Sequence, residues 1–96
     1  DDIAYPTIKF FDAVYYVDSI DDINYDHIEV TDDREGVTVT HKVYHEVDEK
    51  QNKDQYWIQY IATDAVGKVT KKVQKIEFNK KPSEDQVLDF KDLDRK

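Results

Sequence analysis

Apolar and polar side chains alternate with a two-residue period along most of the chain, and no long stretch repeats at the helical 3.6-residue period. The segments "TIKFF" (7–11) and "AVYYV" (13–17) read as one strand interrupted at Asp12. "HIEVT" (27–31) places Ile28 and Val30 on one face. In "VTVTHKVYHEV" (37–47), Val37, Val39, Val43 and Val47 fall on one face and Thr38, Thr40, Lys42 and Glu46 on the other. "QYWIQYIAT" (55–63) aligns Tyr56, Ile58, Tyr60 and Ala62. "KVTKKVQKIEF" (68–78) begins with Val69 and Val73 and then shifts phase to Ile76 and Phe78, which predicts a β-bulge. Strands separated by turn signals at this spacing predict an all-β sandwich and not alternating βαβ units.

The stretch "YIATDAVGKVT" (60–70) fixes one hairpin. Gly67 supplies a positive-φ position, and Asp64 can accept from the backbone amides ahead of it, so Asp-Ala-Val-Gly closes a four-residue loop. Pairing Thr63 with Lys68 then sets Ala62 against Val69 and Ile58 against Val73, with Tyr56 near Ile76 beyond the bulge. Trp57 is out of phase with this apolar face and lies on the outer side beside Gln59, Ile61, Lys72 and Gln74. Two uses compete for it: an aromatic platform for a sugar or peptide, or cross-strand packing under lysine stems.

Composition narrows the function classes. The chain has 96 residues, the size of one small domain, and a net charge of −8, which argues against nucleic acid and acidic membrane surfaces. Seven Tyr, four Phe and one Trp argue for a folded core despite the high charge content. Without Cys there is no disulfide, thiol catalysis or Cys-based zinc site. A start at Asp1 and the lack of Met suggest a piece of a longer chain, and no apolar run reaches membrane length.

"YWIQYIATDAVGKVT" resembles the closing hairpin of bacterial Ig-like repeats, a family of surface-protein modules similar to cadherin and hyalin-type sandwiches. The upstream pieces "YPTIKF", "VYYVDSIDD" and "IEVTDDREGVTVT" follow the family's order, so the resemblance covers residues 5 to 78. The chain departs from it in "DEKQNKDQ", where a short Gly-containing link is usual, and in lacking a Gly near Asp18-Ser19. The resemblance implies an Ig-like sandwich of about six or seven antiparallel strands. It also implies that the later half of the first strand runs parallel to the last. Residues 1–79 would form this domain and 80–96 a tail or linker to a following module. The implied role is a non-catalytic spacer or adhesion repeat in a bacterial cell-surface or secreted protein; the alternatives are a module that binds calcium, carbohydrate or protein, and an accessory domain of a secreted enzyme. Its partners would be neighbouring repeats of the same chain, or a host or cell-wall protein or glycan, with the isolated domain a monomer.

Candidate sites are few. Asp32, Asp33 and Glu35 follow one strand and Asp64 another, and in such a sandwich the two turns meet at one end, where calcium could find several oxygens. The competing use is a pair of turns with solvated or capping carboxylates. His41 and His45 share a strand face but stand roughly 13 Å apart, too far to grip one ion. Ser19 and Ser83, the only serines, lie in no nucleophile elbow, and the two glycines build no phosphate loop, so no enzyme is expected. In the tail, Ser83 and Gln86 have capping-box spacing, and Val87, Phe90 and Leu93 could stripe a short helix; a linker is the alternative.

Overall fold

The computed structural model describes residues 4–32 and 35–94. Seven strands occur among them: β1 (Thr7–Phe10), β2 (Val14–Val17), β3 (Ile28–Thr31), β4 (Thr38–Asp48), β5 (Lys53–Thr63), β6 (Val69–Phe78) and β7 (Leu88–Asp89). They form two sheets, a β1-β3 pair and a five-stranded sheet ordered β2-β6-β5-β4-β7. The all-β expectation therefore holds. Not every pairing is antiparallel, however, because β2 runs parallel to β6 and β7 parallel to β4.

The interruption at Asp12 separates two strands that belong to different sheets. Upstream, β1 pairs with β3 from Thr7↔Thr31 to Phe10↔Ile28. Downstream, β2 joins the edge of β6 from Val14↔Lys75 to Val17↔Phe78. Between the sheets lies a core of Ile8, Val43, Tyr56, Ile58, Tyr60, Ala62 and Ile76. The aligned face of β5 is thus the floor of the core, as its alternation predicts.

The register of β5 with β6 differs from the expected one by a single residue. Thr63 opposes Val69, Ala62 opposes Thr70, and the ladder continues without a bulge to Tyr56↔Ile76. The core-facing positions of β6 are consequently Thr70, Lys72, Gln74 and Ile76, so Lys72 and Gln74 leave the expected outer side and Val69 and Val73 face outward instead. The reason lies in the backbone of the first strand, where carbonyls on the side away from β3 need donors. Thr70 Oγ1 donates to the Pro6 carbonyl at 2.6 Å, Lys72 Nζ to Ile8 at 2.9 Å and Gln74 Nε2 to Asp12 at 2.9 Å. Polar side chains occupy inward sites because the neighbouring layer presents acceptors there.

The C-terminal segment departs from both sequence expectations. It forms neither an α-helix nor a detached linker, but a 3-10 turn (Glu84–Gln86), β7 and a second 3-10 turn (Phe90–Asp92). Gln86 Oε1 does accept the Ser83 N–H at 3.0 Å, the capping-box contact, on a turn of three residues. Val87 packs against the core, while Phe90 lies on the opposite sheet face against Tyr44 and Trp57. One helix could not present both side chains to opposite faces of a sheet. The segment instead wraps the β4 edge as a strap, and its end folds back so that Gln59 donates to the Asp94 carbonyl at 2.6 Å.

Candidate functional site

Asp64 organises the turn between β5 and β6. Its Oδ1 accepts from Val66 N–H at 3.0 Å and Lys68 N–H at 2.8 Å, and its own N–H donates to the Lys68 carbonyl. Gly67 takes φ +92° and donates to the Asp64 carbonyl at 3.1 Å. The side chain is 5% exposed, and its Oδ2 is buried without a hydrogen bond. The turn before β4 meets this one closely: a Cβ placed on Gly36, at φ +95°, would stand 3.2 Å from the Ala65 Cβ. Asp32 is half-buried and Glu35 exposed beside it, and Asp33 lies outside the described residues. The two acidic turns therefore do share one end of the molecule. Among the described residues, no three His, Asp or Glu side chains converge at metal-ligand spacing.

Trp57 stands on the outer face of the five-stranded sheet, paired with Tyr44 on one side and Lys75 on the other. Its indole N–H donates to Glu46 Oε1 at 3.1 Å. Lys75 Nζ lies 5.1 Å from the ring centroid and the Phe90 ring 5.6 Å away. Beside this cluster is a cleft of about 390 Å³, lined by Glu46, Trp57, Gln59, Lys71, Val73 and Phe90 among others. Ile61 sits on the same face, opposite Thr40 and Lys71, and is half-buried. Alternation places Gln59 on this face but does not reveal its burial, at 2% exposed, or the presence of Phe90. Phe90 belongs to the strap, which comes from a part of the chain without strand periodicity.

No protein-family model, curated protein or solved structure matches the chain. Assignment of function rests on the chemistry of its own side chains.

The histidines serve three separate contacts. His27 Nε2 lies 3.1 Å from Asp12 Oδ2. His41 stacks on Tyr25 with centroids 3.4 Å apart, and burial pushes its pKa down. His45 stacks on Tyr56 and meets Asp54 Oδ1 at 2.7 Å, while Lys81 Nζ reaches the other oxygen of Asp54 at 3.0 Å. These hydrogen bonds, His45 first and Lys81 next, hold the Asp54 carboxyl below its ordinary range. They also pin the start of the strap to the β4–β5 hairpin. Ser19 Oγ donates to Asp22 at 2.9 Å and Ser83 Oγ to Asp85 at 2.6 Å, so each serine is engaged by a carboxylate of its own turn.

Proposed function

We propose that this domain is a non-catalytic Ig-like module, structural or adhesive, of a bacterial cell-surface or secreted protein. The observation that carries the reading is the division of the first strand. Its first half belongs to the small sheet and its second half runs parallel to the last long strand, β6. That connection is the one the resemblance at residues 5–78 implies. An elongated body of 49 × 24 × 23 Å suits a spacer. The chain approaches at Tyr5-Pro6 beside the β5–β6 turn, where Lys68 Nζ lies over the Tyr5 ring at 5.6 Å. β6 then carries it to the far end at Phe78.

A second reading, a module that binds a peptide or glycan, draws on the strap. Because Asp94 returns to Gln59 and to Lys71 Nζ, at 3.1 Å, the described chain ends part-way back along the outer face and not at the far pole. Small-angle scattering on two domains joined in tandem separates the readings. A spacer gives a maximum dimension near the sum of two 49 Å axes. A folded-back pair, with the second domain against the outer face of the first, transfers the assignment to a binding module.

A further inference from the structure

We propose that the open edge of β4 at Thr38–Lys42 is a strand-addition site for an extended, acidic peptide segment of another protein. β4 is paired with β5 along all of its length from Thr38↔Thr63 to Asp48↔Lys53. Among the described residues, its other edge meets a strand only at Tyr44 and His45, through β7. The five residues from Thr38 to Lys42 are all exposed, and every second one turns its N–H and C=O away from β5. An open edge of this kind is a template for a further strand.

Charge selects this edge and the kind of partner. The open edge of β3 carries Glu29 and is flanked by Asp26 and Asp32, and that of β2 is flanked by Asp12 and Asp18. Residues 37–45 contain no carboxylate at all, in a chain of net charge −8. Lys42 faces outward there and has no ion pair among the described residues. On the adjoining outer face, Gln59 to Thr63 and Val69 to Val73 contribute no carboxylate, and the strap's Asp94, which lies there, is paired with Lys71 Nζ at 3.1 Å. An added strand would present alternate side chains to two different surfaces. One set meets Thr38, Thr40 and Lys42, which favours carboxylates. The other meets Val39, 40% exposed, and the His41–Tyr25 stack, which favours β-branched or aromatic side chains. The recognised pattern is therefore acidic and apolar residues in strict alternation.

The probe is a blocked peptide of about seven residues alternating Val and Glu, titrated into the 15N-labelled domain, with a Val–Lys peptide as control. Amide shifts confined to residues 38–43 are expected, weakening with salt. Lys42→Glu, at an exposed position, should weaken binding by about tenfold. Thr40→Pro, which removes a backbone donor or alters the edge, should abolish it, and its amide spectrum reports whether the fold survives. Equal binding of the Val–Lys peptide, shifts centred on β2 or β3, or no shift at all would each overturn the proposal. So would concentration-dependent dimerisation of the free domain through the same amides, because the edge would then belong to a second copy.

Discussion

β5 and β6 lie side by side over eight register pairs, yet they solve opposite problems on the same face of the sheet. β5 turns Tyr56, Ile58, Tyr60 and Ala62 inward, and all four are buried. β6 turns Thr70, Lys72 and Gln74 inward, and each donates a hydrogen bond to a carbonyl of the first strand or of a residue flanking it. The apolar strand contributes area removed from water, and the polar one joins two layers without a backbone ladder between them. An inward polar residue between two sheets therefore reports where the opposite layer has unpaired acceptors.

The largest test of this contrast is Tyr60→Ala. Tyr60 is 1% exposed and packs against Phe10 at 5.8 Å, so truncation should cost about 3–5 kcal/mol in urea melts. Trp57→Ala, on the outer face, should cost clearly less. The reverse order would place the energetic core on the wrong side of the sheet.

Alkaline titration probes the same residue through its proton. Burial pushes the Tyr60 phenol up from 10.0 to about 12. The native state holds this proton more tightly than the unfolded chain does. Its contribution is complete below pH 10 and is lost as pH rises toward 12, about 2–3 kcal/mol in all. Tyr60→Phe should flatten the stability profile across that window. A profile unchanged by the substitution would assign the alkaline transition to other groups.

Gln74→Leu tests the polar strand. The substitution improves the apolar pattern of β6 but removes the hydrogen bond from the buried Gln74 amide to the Asp12 carbonyl, and should destabilise by about 0.5–1.5 kcal/mol. A stabilised variant would mean that the carbonyl finds another donor, and that β6 differs from β5 only in composition.

This contrast also explains what alternation could and could not convey. The inward face of β5, the break at Asp12 and the hairpin at Asp64–Gly67 were legible because each is a local pattern of apolar or turn residues. The register was not. Val69 and Val73 look like inward residues, and nothing within 68–78 indicates that Pro6, Ile8 and Asp12 would offer carbonyls to their polar neighbours. The strap was equally hidden, because Val87 and Phe90 have helical spacing and their separation by the β4 edge is a tertiary fact. Of the candidate sites, the meeting of the two acidic turns was legible from topology. The roles of Gln59 and Phe90 on the Trp57 face depend on the strap and were not.

The unequal anchoring of the two chain ends gives the domain a mechanical order of failure. The strap touches β4 as a strand at only two residues, whereas β2 is zipped to β6 at four. Tension applied through the ends would peel the strap away bond by bond at low force. With the strap gone and β1 drawn off β3, the pull runs from the start of β2 to the end of β6, along two parallel strands. Their bonds must then break together and not in succession. The strap would serve as an extensible slack segment, lengthening under load before the body of the domain resists.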